Sequence, residues 1–142
     1  MYVANRVTQG TTGFGPGNVV VYSSGSTSAS RTGSDGVVSP VGITVDATGT
    51  LYVTNIDQNN VQEYRSGLSH PFQTITQSMN GPNAVTVDEK GDLQVTDNGS
   101  SVIVEFAPGA TNPSKREIRK GLFGPAGTAY WPPLSQQGKR KP

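Results

Sequence analysis

Asn5, Asn55 and Asp97 each close a short apolar run, while Ser39, Asn80 and Asn83 lead into other runs or open them. Side-chain oxygens gathered from such positions suit a hard cation such as Ca2+, which takes about six to eight oxygen ligands. Only Asp97 adds a formal negative charge to this set. If a metal binds, Asn55 and Asp97 are the candidates to hold it, and the other amides are candidate ligand contacts. The competing expectation is structural, because Asn and Asp in such positions tie neighbouring loops through local hydrogen bonds. That role is the first expectation for Asn55 and Asp97.

A different kind of contact is offered by Phe14, an aromatic on the glycine-rich stretch from Gln9 to Gly17. Thirteen positions separate Asn5 from Asn18, but five separate Asn55 from Asn60, so this connection is eight residues longer than its counterpart. Insertions in repeated architectures collect on a binding face, although a longer loop also costs little in closure free energy.

Several chemistries are excluded. The chain has no cysteine, which removes disulfides and thiolate metal sites. Its one histidine, His70, precedes Pro71 in an expected exposed turn, so neither a catalytic triad nor a multi-histidine zinc site is expected from a single chain. No catalytic residue is assigned.

The net charge of +1 is unevenly spread. Residues 1–98 carry four basic and eight acidic side chains, and residues 99–142 carry seven basic and two acidic. Lys115, Arg116, Arg119 and Lys120 cluster near one expected strand, with Lys139, Arg140 and Lys141 in the tail. Charge at an edge strand discourages edge-to-edge pairing. Without interleaved aromatics for base stacking, nucleic acid is not an expected partner. No apolar run reaches the roughly 18–20 residues that span a bilayer, and no charged-then-apolar leader precedes the first run. The compartment is left open, with an extracytoplasmic location fitting a chain that is part of a longer protein.

The elements that position these residues recur. Tyr22, Tyr64 and Phe106 are spaced by 42 residues, as are Gly25, Gly67 and Gly109. Asp46 recurs as Asp88, Gly49 as Gly91, Leu51 as Leu93 and Asn55 as Asp97, while Pro40 recurs as Pro82 and, one residue late, as Pro125. A period of about 40–45 residues with alternating apolar positions predicts an all-β fold of β-propeller blades, each a four-stranded sheet. In the middle repeat, residues 40–46, 51–55, 61–64 and 73–76 are the expected strands. Gly42 suits a crowded inner strand, and Asp46-Ala47-Thr48-Gly49 reads as a tight turn.

The pattern divides the chain into residues 1–36, a blade lacking its inner strand, then blades at 37–78 and 79–121. Residues 122–131 match an inner strand that completes a split blade, and 132–142 form a basic tail expected to be disordered. Rings of this kind hold about four to eight blades. Three blades expose apolar faces that call for covering. The chain is therefore expected either to pair as half of a six-bladed ring or to be one portion of a longer propeller.

Leu51-Tyr52-Val53-Thr54-Asn55, followed by Asn60-Val61, resembles the NHL repeat and the related YVTN repeat, and Pro40 to Asp46 is closer to the NHL pattern. The resemblance runs from Tyr2 to about Tyr130. It implies a non-enzymatic scaffold or module that binds a protein, peptide or glycan through its loop-bearing face. A more distant resemblance to gluconolactonase-like propellers implies an alternative, a hydrolase with a central divalent cation such as Ca2+.

Overall fold

The computed structural model describes residues 1–6, 15–65, 68–113 and 117–130, and these build three antiparallel sheets with no α-helix. The first sheet contains β1 (Tyr2–Arg6), β2 (Gly17–Tyr22) and β3 (Ala29–Gly33) in that order. The second runs β4 (Pro40–Val45), β5 (Leu51–Asn55), β6 (Asn60–Tyr64) and β7 (Gln73–Ile75). The third runs β8 (Pro82–Val87), β9 (Leu93–Asp97), β10 (Val102–Phe106) and β11 (Glu117–Ile118). Each strand pairs with its chain neighbour, as tight turns between short alternating runs require.

The sheets stack in a row, with β1 beside β4 and β4 beside β8. The middle sheet therefore buries both faces, and every residue of β5 and β6 is buried. Alternation along the strands divides its side chains between two cores. Leu51, Val53 and Tyr64 pack with Val19, Val37 and Leu68 on one side. Tyr52, Val61 and Ile75 pack with Val85, Val95, Val104 and Phe106 on the other. Burying each aliphatic or aromatic side chain contributes roughly 1.5–3 kcal/mol.

Gly42 bears out the expectation of crowding. A Cβ there would come within 2.3 Å of the Asn83 carbonyl oxygen and 2.8 Å of Thr54 Oγ1. Thr54 Oγ1 accepts from Gly42 N at 2.7 Å and donates to Asn83 O at 2.7 Å, so the same crowded point joins β5 to β8.

Turn conformations recur with the sequence. Positive φ angles appear at Gly49 and Gly91 (87° and 83°), at Gly36 and Ser78 (69° and 58°), and at Ser39 and Gly81 (49° and 80°). Asn59 and Ser101 follow the same step at 52° and 53°. These left-handed positions punctuate the chain where tight turns need them.

Residues 122–130 depart from expectation, since they pair with no strand among the described residues. The physical reason is their place in the row. A strand exists only against a ladder partner, and the sheet without an inner strand stands at the opposite end, beyond β4 and β8. Phe14, most of the long 9–17 connection, Ser66, Gly67, Lys115, Arg116, residue 131 and the 132–142 tail lie outside the described residues.

Candidate ligand-binding cleft

The rim amides are built into the fold. Asn55 is fully buried: its Oδ1 accepts from Val38 N at 3.1 Å, and its Nδ2 donates to Gly36 O at 2.7 Å and Asn60 Oδ1 at 2.9 Å. Asp97 is fully buried too, with Oδ1 accepting from Ser100 N at 2.8 Å and Oδ2 from Asn80 N. Both side chains thus satisfy backbone N–H groups of the segment leading into their own sheet. Asn83 supplies the carbonyl bonded by Thr54, Asn80 O accepts from Gly99 N at 2.9 Å, and exposed Asn5 donates through Nδ2 to Asn18 Oδ1 at 2.9 Å. Asn5, Asn55 and Asp97 sit on separate sheets, each in its own local network. Among the described residues, no three His, Cys, Asp or Glu side chains gather as a metal-holding group.

The opposite ends of the sheets are more open. Pairing of Pro40 with Asn55 and of Val45 with Leu51 places Asp46 at the far end of the second sheet from Asn55. There, a cleft of about 450 Å³ opens between the second and third sheets. Tyr52, Glu63, Phe72, Val87 and Pro108 line it, with the two β-turns that begin at Asp46 and Asp88. Its carboxylates are Asp46, Glu63, Asp88 and Glu89, against the single ammonium of Lys90.

The turns that frame the cleft form because each aspartate satisfies its own loop. Asp46 Oδ1 accepts from Thr48 N at 2.8 Å, Thr48 Oγ1 at 2.7 Å and Thr50 N at 2.9 Å. Asp88 Oδ1 accepts from Lys90 N and Asp92 N, both at 2.9 Å. Tyr52 extends from the core and donates its hydroxyl to Asp46 Oδ2 at 3.1 Å. Partial burial pushes the Asp46 carboxyl up, but the bonds from Thr48, Thr50 and Tyr52 outweigh it and hold the group below its ordinary value.

Glu63 behaves oppositely. Burial pushes its carboxyl above the ordinary value, a bond from Gln73 opposes the shift, and the charge of Asp46 adds to it. Gln73 Nε2 donates to Glu63 Oε1 at 3.0 Å and to Gly109 O at 3.3 Å, linking the two sheets across the cleft. Phe72 is held by its backbone N–H to Glu63 O at 2.9 Å, and the Arg65 guanidinium lies 4.7 Å from its ring centroid. The result is a partly apolar slot lined by two aromatic side chains and four carboxylates.

Among solved structures, the chain is similar to Kuenenia stuttgartiensis hydrazine synthase. The TM-score is 0.64 at 18% identity, over 78% of this chain and 31% of that one. A likeness at this identity shows a shared fold alone. No protein-family model and no curated protein matches the chain. No helix among the described residues is long and apolar enough to cross a membrane.

Of the candidate contacts read from the sequence, Asn5, Asn55, Asn80, Asn83 and Asp97 do not line this cleft and Phe14 lies outside the described residues, while Tyr52, Glu63 and Phe72, which line it, were not among them. The available signal was Glu63, a carboxylate inside an expected strand.

Proposed function

We propose that the chain is part of an NHL/YVTN-type β-propeller and serves as a non-enzymatic module that binds a protein or peptide segment. The 42-residue recurrence of strands and turns supports the propeller reading. The observation that carries the binding role is the 450 Å³ cleft between the second and third sheets. Four carboxylates against one ammonium favour a ligand with a positive side chain. Phe72 and Tyr52 add apolar surface for the stem of an arginine or lysine.

Fluorescence anisotropy with labelled short peptides that carry arginine or lysine beside leucine tests this reading. Phe72→Ala and Glu63→Gln are each expected to weaken binding about tenfold, a change worth about 1.4 kcal/mol. Added salt is expected to weaken it further. Equal binding of acidic peptides or neutral glycans, or undiminished binding by both variants, would overturn the reading.

A further inference from the structure

The first sheet and the last described residues hold complementary parts of one four-stranded unit. β1 corresponds to β5 and β9, the second strands of the other sheets. The Asn5–Asn18 side-chain bond of 2.9 Å repeats the Asn55–Asn60 bond of 2.9 Å. Residues 121–130 correspond to the lead-in and inner strand at 78–87. Gly121 and Gly124 have φ angles of 78° and 54°, where their counterparts Ser78 and Gly81 have 58° and 80°. Gly124 N donates to Ser101 Oγ at 3.1 Å, as Gly81 N donates to Asn59 Oδ1 at 2.7 Å. At the end of the segment, Tyr130 lines a shallow cleft with Val45 and Val87, its two counterparts. Residues 124–130 thus follow the course of an inner strand beside β8, without a ladder partner.

β1 offers the matching edge. Met1 and Tyr22 exchange both backbone hydrogen bonds, Met1 N to Tyr22 O and Tyr22 N to Met1 O, each at 2.8 Å. Antiparallel ladders alternate with a period of two, so Val3 and Asn5 also face β2. The backbone groups of Tyr2 and Ala4 face the other way, where no strand pairs with them among the described residues. Asn55 Oδ1 takes the N–H of Val38, and Asp97 Oδ2 takes that of Asn80. The corresponding N–H belongs to Phe123, whose side chain is 94% exposed.

We propose that the open edge of β1 docks residues 123–130 of a second copy of this chain. The pairing of β4 with β5 sets the register: Gly127 lies opposite Ala4, Thr128 opposite Val3 and Ala129 opposite Tyr2. Phe123 N–H of the second copy bonds Asn5 Oδ1, and each docked strand completes a four-stranded sheet. Mutual exchange between two copies closes a ring, and continued exchange gives a larger closed or open assembly. This interface is separate from the cleft and stands without the ligand proposed for it.

Light scattering of the 142-residue chain and a disulfide trap test the proposal together. The chain has no cysteine, so Val3→Cys and Thr128→Cys variants each carry one thiol. A facing pair outside the ladder bonds has Cα atoms about 4.5 Å apart, within reach of a disulfide. Oxidising the mixed variants is expected to give at least tenfold more covalent dimer than oxidising either alone. Ala4→Pro removes an N–H that β2 does not use, so the sheet is retained and the assembly is expected to fall to monomer. A monomeric wild-type chain, an Ala4→Pro variant that folds and still associates, or no excess of mixed disulfide would each overturn the proposal. The disulfide trap decides the matter should Ala4→Pro fail to fold.

Discussion

Asn55 and Asp97 stand 42 residues apart at equivalent ends of β5 and β9, and each clamps the backbone leading into its own sheet. Asn55 does so with its oxygen and its amide nitrogen, whereas Asp97 does so with Oδ2 and uses Oδ1 to hold Ser100 N in the turn after β9. Removing Asp97 leaves the N–H groups of Asn80 and Ser100 without their acceptor. Asp97→Ala is expected to lower stability by about 2 kcal/mol, the scale of two lost hydrogen bonds to a buried carboxylate from partly buried donors. Asp97→Asn is expected to lower it less, since Asn55 shows that an amide fits the position. Urea denaturation followed by circular dichroism measures both.

Gly42 and Gly25 separate close packing from backbone conformation. Gly42→Ala places a methyl 2.3 Å from Asn83 O and 3.0 Å from Ala84 Cα, both backbone atoms that cannot rotate away. A loss of about 3 kcal/mol is expected, with β4 and β8 forced apart. Gly25→Ala meets no atom within 4 Å but keeps a φ of 73°. Its expected cost is about 1 kcal/mol, the left-handed penalty alone. Thermal unfolding of the two variants should therefore differ clearly.

Ser39 is a local misfit whose repair should stabilise the chain. Its φ is 49°, its side chain is fully buried, and its hydroxyl has no hydrogen-bond partner among the described residues. Glycine fills the corresponding places at Gly81 and Gly124, where φ is also positive. Ser39→Gly is expected to raise stability by about 1 kcal/mol, as relief of strain and of an unsatisfied hydroxyl exceeds the added chain entropy. A lowered denaturation midpoint would contradict this.

Two of the four cleft carboxylates, Glu63 and Asp46, give opposite pH dependences. Glu63 has its folded value raised above the ordinary 4.5 by burial, so its ionisation opposes folding and its contribution improves as pH falls toward 4.5. Asp46 has its folded value lowered below 3.8 by its hydrogen bonds, so it stabilises above 3.8 and that stability is lost as pH falls through the folded value. Glu63→Gln is expected to be more stable than the parent at pH 7, with the difference shrinking as pH is lowered toward 4.5. Unfolding curves of both proteins across that range provide the comparison.

Much of the strand plan was legible because alternation is a local property. Leu51–Asn55 occupies the bounds that alternation predicts, and Leu93–Asp97 repeats them 42 residues later. The aspartate turns were legible for the same reason, since the Oδ1 atoms of Asp46 and Asp88 accept from residues within four positions. The cleft was not. Tyr52 is core along most of its length and polar only at its tip, while Phe72 sits in a loop whose placement depends on Arg65 and the Glu63 carbonyl. How far two neighbouring sheets separate is a tertiary property, which no short pattern encodes. Oxygen-bearing side chains at strand ends suggested ligand contacts, but backbone N–H groups reach Asn55 and Asp97 first. Tyr130 shows the converse limit: a strand-like sequence takes strand form only beside an available edge.

Because the second sheet is walled on both flanks, it is the keystone of this arc. Amide exchange should be slowest in its two central strands and quicken outward on either side. Damage at one extremity spares the far interior, but a defect in β5 or β6 undermines both interiors at once. Cooperativity is thus concentrated in a few residues near the middle of the chain, leaving its extremities freer to drift during evolution.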